Sequence, residues 1–363
     1  MDEQKNLIEA VEKDHAINTP VIQGASLLFP YLSERESYAL PALLISHQIP
    51  LSLEQAIASS QWLAKQSTIF EFDSGHNGNL PPTITTLKRY QPLDEAEIRS
   101  YLPPIINQQC SILNNFITES TNADLLTLNV DSAEKIVPIA IAVAEMQQSG
   151  RGRREKQWIS PLAVNLYFSL RVQFPLTAID LLPSLSVRVG IILLDTLRNM
   201  GLKDIKLKWP NDIWYQSRKL AGILVETKIT AQGIVVVIGI GVNNHQPLTK
   251  SIQGSQKGLN NNPIACEEIV GEPIDRNILV AALTTALYRL WQEVVNPDRN
   301  PVDITQIWPD KSYFYGQDIA IWRGDELYRK GREMGIDQDG ALLVQTEEGL
   351  QRITSSEYSL RGQ

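Results

Sequence analysis

The chain has 363 residues, 43 % apolar and 20 % charged, with a formal net charge of −8. That is room for two or three domains and a sizeable core, and the acidic balance excludes a global field that would favour nucleic acid. Two cysteines (Cys110, Cys266) and four histidines show no CxxC and no i, i+4 spacing, which argues against a protein-built metal site and for reduced thiols in a cytoplasmic protein.

In chain order, the start is acidic and polar, unlike a secretory leader, and no apolar run is expected to span a bilayer. LIEAVEKDHAI gives one weak helix signal before Pro20. Two helices are expected between Glu36 and Gln66: YALPALLISHQ, then LEQAIASSQWLAKQ with Ser52 as its N-cap and Gln55 three residues on. TIFEF (68–72) and PTITTLKRY (82–90) read as strands around a DSGHNGN turn. Two helices and a hairpin have the pattern of a degenerate winged helix-turn-helix, a unit that can bind DNA. Lys88 and Arg89 sit on the wing, but no basic recognition helix stands out. Residues 1–100 carry 7 Lys and Arg against 13 Asp and Glu, which opposes a phosphate backbone.

PLDEAEIRSYLPPII then gives a short helix stopped by Pro103 and Pro104. SILNNFITES is a strand. Ser120, Thr121 and Asn122 open the next helix, either as capping residues or as hydroxyl and amide groups facing a small polar ligand. IVPIAIAVAEM (136–146) and NLYFSLRV (165–172) are strands on either side of a basic loop. LLPSLSVRVGIILLDTLRNMG is a long helix ending at Gly201. LKDIKLKWP, a hairpin through KLAGILVETKI, and GIVVVIGIGVNN (233–244) are strands. Residues 245–274, rich in Gln, Asn, Pro and Gly, read as a loop of low order. DRNILVAALTTALYRLWQEVV (275–295) is an amphipathic helix, and ITQIWP a short one. From 314 to 361, short strands with Gly-containing turns read as a small all-β barrel.

The basic loop, QQSGRGRREKQWISP (147–161), holds Arg151, Arg153, Arg154 and Lys156 with Gly150 and Gly152 interleaved. A solvated hairpin loop is the ordinary meaning of such a charge run. Phosphate binding is the alternative, because glycine lets backbone approach a ligand and arginine binds oxyanions through paired hydrogen bonds. GRGRRE starts like a dinucleotide fingerprint but has Glu155 at the third glycine and a strand after it; no P-loop motif is present either. KWPND (208–212), RKLAGILVE (218–226) and GIGVNN (239–244) also break apolar strands with polar groups. Each alone is ordinary turn or strand-end chemistry.

Taken together, GRGRREKQWISP, KWPND, RKLAGILVE and GIGVNN, with ESTN (119–122) and DRN (275–277), resemble the catalytic domain of biotin protein ligases. The tail is similar to that family's C-terminal barrel. The resemblance implies an α+β chain: a largely helical segment over 1–90, akin to a degenerate winged helix; a mixed-sheet ligase domain over 91–312; and an SH3-like barrel over 313–363. It implies ATP-dependent activation of biotin to biotinyl-5′-AMP, with Mg²⁺ entering with ATP, and transfer to a lysine of a biotin carboxyl carrier domain. Ser120, Thr121, Asn122, Gln147, Arg151, Gly152, Arg153, Lys219 and Gly222 would hold biotin. Arg153, Arg154, Lys156, Trp158, Asn211, Asn243 and Arg361 would hold ATP and the adenylate. Arg153 and Lys219 would stabilise charge on the phosphate. The basic loop is expected to be open or disordered until an anion arrives. The family usually has glycine and arginine after GRGRR, where this chain has Glu155 and Lys156. Biotin-responsive repression and lipoyl or octanoyl transfer on the same fold stay open as alternatives, as does a homodimer.

Overall fold

The computed structural model describes residues 20–75, 80–128, 138–245, 263–296, 302–354 and 358–362. The helix expected over LIEAVEKDHAI and most of the expected 245–274 loop lie outside them. Within that last stretch, Cys266–Val270 forms a short helix, α8.

The N-terminal elements are α1 (Pro20–Leu28), β1 (Ser37–Ala39), α2 (Leu40–Ser46), α3 (Leu53–Gln66), β2 (Phe70–Asp73) and β3 (Thr83–Thr86), with sheet order β1-β3-β2. This order of helices and strands is that of a winged helix. Its α3 starts on a capping box: the Gln55 amide donates to Ser52 Oγ (3.2 Å) and the Ser52 amide to Gln55 Oε1 (2.8 Å). α1 crosses α3 at Gly24, where a Cβ would stand 2.3 Å from Ser59 Oγ and would turn that hydroxyl off the Val21 carbonyl it donates to.

The winged helix is not a tethered bead. Its core residues Leu28, Phe29, Leu40, Leu63, Ile69 and Ile84 share one cluster with Leu162 and Ala163, which follow the basic loop. Ser67 Oγ donates to the Leu162 carbonyl at 2.8 Å, and the Leu162 amide donates to the Gln66 carbonyl. On the other side, Lys88 Nζ pairs with Glu267 at 2.8 Å. His245 is buried beside that pair, and burial pushes its pKa down to about 4.

The central sheet has seven strands in the order β4-β5-β6-β10-β9-β8-β7. They are β4 (Cys110–Thr118), β5 (Ile139–Gln147), β6 (Leu166–Phe174), β7 (Lys206–Lys208), β8 (Asp212–Tyr215), β9 (Arg218–Thr230) and β10 (Gly233–Val242). Only the β4–β5 pair is parallel. Side chains alternate across a strand, and β5 is buried on both faces. Ile139, Ile141 and Val143 join the main core, while Ala140 and Ala142 join a smaller cluster with Leu125 of α6 (Thr121–Thr127). The main core also takes in α7 (Leu182–Asn199) and α9 (Arg276–Val295). By length and composition both helices could cross a membrane, which corrects the expectation that no apolar stretch is long enough. Here Leu185, Val189 and Leu193 of α7, and Leu279, Leu283 and Leu287 of α9, are core residues.

The short helices α4 (Glu95–Tyr101) and α5 (Pro104–Asn107) lead into β4. The DRN step is structural in this chain. Asp275 caps α9. Arg276, 2 % exposed, donates to both oxygens of buried Glu145 at 2.8 and 3.2 Å and to the carbonyls of Asn165 and Gln91. Removing one partner would strand a buried charge, at a cost of about 3–5 kcal/mol. Asn277 holds Asp94, Pro92 and Glu97 at the domain entrance.

α10 (Ile304–Lys311) leads into a five-stranded antiparallel sheet of β11 (Asp318–Arg323), β12 (Glu326–Ile336), β13 (Leu342–Thr346), β14 (Gly349–Ile353) and β15 (Tyr358–Gly362). That is the strand content expected of the small C-terminal barrel. Two buried ties lock it on. Glu333 accepts from Trp308 Nε1 (2.8 Å) and Ser312 Oγ, and Trp209 Nε1 donates to the Gly340 carbonyl (2.9 Å).

Candidate active site

The site lies on the face of the sheet where β9 and β10 run side by side. Gly222 and Gly241 stand opposite each other in that pair. A Cβ on Gly241 would meet the Trp158 ring at 2.5 Å, and one on Gly222 would meet it at 3.1 Å. The two glycines therefore make a seat for the Trp158 indole, which the basic loop lowers onto the sheet. One strand step away, Gly239 makes the same allowance for Asn122.

The basic loop, expected to be open, is a folded hairpin in this structure. The Trp158 amide donates to the Gly150 carbonyl at 2.8 Å, the Gly152 amide to the Lys156 carbonyl, and Arg151 bridges Gln157. The turn closes with Arg154 in the left-handed region (φ 56°). Side chains fix the hairpin to the sheet. Arg153 donates to Asn211 Oδ1 at 3.1 Å, and Arg151 pairs with Glu226 at 3.1 Å.

Two cavities meet under the loop. The first, about 60 Å³, is lined by all nine residues assigned to biotin: Ser120, Thr121, Asn122, Gln147, Arg151, Gly152, Arg153, Lys219 and Gly222. Its hydroxyls and amides are already ordered. Gln147 Oε1 accepts from the Thr121 amide (3.0 Å), Thr121 Oγ1 meets Ser169 Oγ (2.7 Å), and Ser169 donates to Asn122 Oδ1 (2.5 Å). The second, a cleft of about 230 Å³, is lined by Arg153, Arg154, Lys156, Trp158, Asn211 and Asn243, with Lys208, Asp212 and the barrel residues Tyr358, Ser359 and Leu360. Gly152, Arg153, Trp158, Asn211 and Lys219 line both.

Arg361 is not among the residues lining the cleft. Its guanidinium lies over Trp322 of the barrel, 4.3 Å from the ring centroid, and its neighbours on β15 face the cleft instead. Asn243 lines the cleft, while its amide is engaged with the carbonyls of Lys219 and Ile264; it shapes the wall.

Sequence reasoning left three groups without a role. Asp212 lies 2.7 Å from Lys219 Nζ and holds the lysine at the junction. Ser169 links Thr121 to Asn122. Lys208 is 8 % exposed, with Nζ 3.7 Å from the Trp214 ring centroid. Burial pushes its pKa down to about 8, against the pull of Asp212 and with the push of Lys219, Arg361 and Lys156. Lys208 and Asp212 both lie in KWPND, so the motif held the signal. Burial also lowers the pKa of Arg153, with Arg154 adding to the shift. The arrangement offers cations to an anion at the junction, between a pocket of amides and hydroxyls and a basic cleft.

Comparison with known proteins identifies the family. Residues 115–243 match the model of the biotin/lipoate A/B protein ligase family, and residues 315–361 match the biotin protein ligase C terminal domain. The chain is 34 % identical over 254 residues to the bifunctional ligase/repressor BirA of Escherichia coli strain K12, covering 68 % of this chain and 72 % of that protein. It is 29 % identical to a biotin--[acetyl-CoA-carboxylase] ligase of Paracoccus denitrificans, covering 68 % and 98 %. Among solved structures, biotin protein ligase from Aquifex aeolicus in complex with biotin and ATP superposes with a TM-score of 0.57 at 24 % identity, over 70 % of this chain and 99 % of that one, a likeness of fold. This chain belongs to the biotin protein ligase family.

Proposed function

We propose that the two joined cavities carry out the two half-reactions of an ATP-dependent biotin protein ligase. In the first, the biotin carboxylate oxygen attacks the α-phosphorus of ATP. An acyl–phosphate bond forms, the bond to the β-phosphate oxygen breaks, and pyrophosphate leaves. In the second, the amine of a carrier lysine attacks the acyl carbon, loses a proton and expels AMP. The observation that carries this reading is the shared junction: Arg153 and Lys219 line both cavities, where the new bond must form.

Negative charge grows on the phosphate in the first step, and cations already fixed in a desolvated site stabilise it without reorganising. Lys219 is held by Asp212, and Arg153 by Asn211. Lys208, Arg154 and Lys156 face the nucleotide side, and Trp158 offers its ring beside the adenine. Mg²⁺ arrives with ATP. Such a cation keeps water and phosphate ligands and needs few from the protein, and among the described residues no group of three or more His, Cys, Asp or Glu side chains is assembled for one.

The first cavity favours biotin over a lipoyl or octanoyl chain. Ser120, Thr121, Asn122 and Gln147 give it a polar lining, which suits a ureido ring better than an aliphatic chain. The proposed division of the chain is a winged helix up to residue 90, a ligase domain over 91–312 and a barrel over 313–363. The winged helix serves as a brace: it grips the segment behind the basic loop through Ser67 and Leu162.

The test supplies the purified chain with MgATP, an apo carrier domain and either biotin or lipoate. Mass spectrometry should find biotin on one carrier lysine and AMP released, with lipoate left unused. Lipoate transfer at a comparable rate would overturn the choice of substrate.

A further inference from the structure

The first cavity is bordered by a continuous hydrogen-bonded belt that begins and ends on the basic loop. Ser160 accepts from Gln147 Nε2 at 3.0 Å, and Gln147, Thr121, Ser169 and Asn122 follow in turn. Asn122 Nδ2 then donates to Glu226 Oε2 at 2.7 Å, and Arg151 of the loop reaches the same oxygen at 3.1 Å. Glu226 does not itself line the cavity. It stands behind Asn122 on β9, its side chain 24 % exposed, with the Arg151 side chain 45 % exposed above it.

An acid is a costly neighbour for a site that must hold a carboxylate and a phosphate, so its placement needs a cause. The belt supplies one. The Asn122 amide has one orientation that satisfies it: Oδ1 accepts from Ser169, and Nδ2 donates to Glu226. Arg151 closes the loop onto that same carboxylate oxygen. Recognition at Asn122 and closure at Arg151 therefore share one anion.

We propose that Glu226 is a positioning residue that latches the basic loop over the biotin pocket through Arg151 while fixing the orientation of the Asn122 amide. It takes no part in phosphoryl or acyl transfer. It lowers the free energy of the closed loop, so its effect falls on biotin retention and not on the chemical step. This rests on the proposed reading of the pocket as the biotin site.

The experiment compares wild type, Glu226→Gln, Arg151→Met and the double variant. Glutamine keeps an acceptor for Asn122 and removes the charge that holds Arg151. Two readouts are taken. Trypsin cleavage after Arg153 and Arg154, with no ligand added, reports the latch independently of any reaction. The biotin KM and the single-turnover rate of adenylate formation at saturating biotin report its consequence. Glu226→Gln should speed cleavage and raise KM about three- to fivefold, the size of one half-exposed ion pair, with the saturated rate within about twofold. Arg151→Met, which removes a half-exposed side chain and leaves the core intact, should speed cleavage to the same extent; only its cleavage is compared, because Arg151 also lines the pocket. The double variant should be cleaved no faster than either single one, because both break one contact. Unchanged cleavage and KM in Glu226→Gln, additive effects on cleavage in the double variant, or a fall in saturated rate at unchanged KM would each overturn the latch. A wild-type chain that forms no biotinyl adenylate would instead sink the functional reading, and the cleavage comparison would still stand or fall on its own.

Discussion

At the scale of single residues, burial and charge decide the chemistry more than motif membership does. Lys208 shows this. Its ordinary pKa is 10.5 and its folded value about 8, with burial as the largest cause. A lysine so shifted is charged below pH 7 and loses its charge as pH rises through 8. The sign for stability follows: the folded chain releases this proton more readily than the unfolded chain, so the burial cost of Lys208 fades between about pH 8 and 10.5. The charged form attracts phosphate, so the KM for MgATP should rise on the order of tenfold between pH 7 and 9, as the charged fraction falls about tenfold. Lys208→Gln should show a high KM with that alkaline rise removed. A wild-type KM flat across this range would remove Lys208 from the nucleotide site. KWPND stood out in the sequence as a break in a strand, but spacing alone cannot separate its members. Trp209 proved to be the barrel's anchor, Asn211 and Asp212 hold Arg153 and Lys219, and only contacts across the sheet reveal that division. Glu226 closes the RKLAGILVE motif, but nothing in the motif marks its role, because a polar residue late in a strand is what a half-exposed edge carries anyway.

At the scale of elements, long periodic segments were legible and short ones were not. α7, α9, β5 and β10 follow their hydrophobic periods, and α3 carried a readable capping box. β1 has three residues, too few to show an alternation, and α1 (PVIQGASLL) has almost no polar face to reveal a helical period. With both missing, the winged-helix order looked like a fragment. Its surface explains why the functional signal was weak too. The exposed positions of α3 include Leu53, Glu54, Gln55, Gln61 and Lys65, so one acid offsets one base on the face that would enter a groove. The two cations expected on the wing follow β3 instead; Lys88 pairs with Glu267 and Arg89 lies 3.4 Å from Glu34. Counterion release therefore has few cations to draw on. The full chain, with or without biotin and ATP, should not bind duplex DNA with submicromolar affinity at about 150 mM salt. Salt-sensitive, submicromolar binding would show that this winged helix is a DNA reader rather than a brace.

At the scale of the whole molecule, three units converge on one loop. The winged helix grips the residues behind it, the sheet seats its tryptophan on two glycines, and the barrel supplies β15 to the cleft it overhangs. The motifs along the chain located most of the residues that line the cavities, while Arg361 does not line them and Lys208 and Asp212 were given no role. They could not predict that the loop would lie folded onto the sheet, because Glu226 and Asn211, which hold it, are 75 and 58 positions from their partners.

In the proposed reaction, cations already fixed at the junction of the two cavities stabilise the charge that develops there. The most direct measurement is single-turnover formation of biotinyl-AMP by wild type and Lys219→Ala, with thermal melts on the same samples. Lys219 lies at the start of β9 and is not a core residue, but its loss leaves Asp212 Oδ1 buried without its partner, so the melting temperature should fall by several degrees without collapse, as for a change of about 1–3 kcal/mol. The adenylation rate should fall about 10²- to 10³-fold, the range for losing one preorganised electrostatic contact. A near-wild-type rate in Lys219→Ala, or a lost rate accompanied by a collapsed melting temperature, would contradict the account.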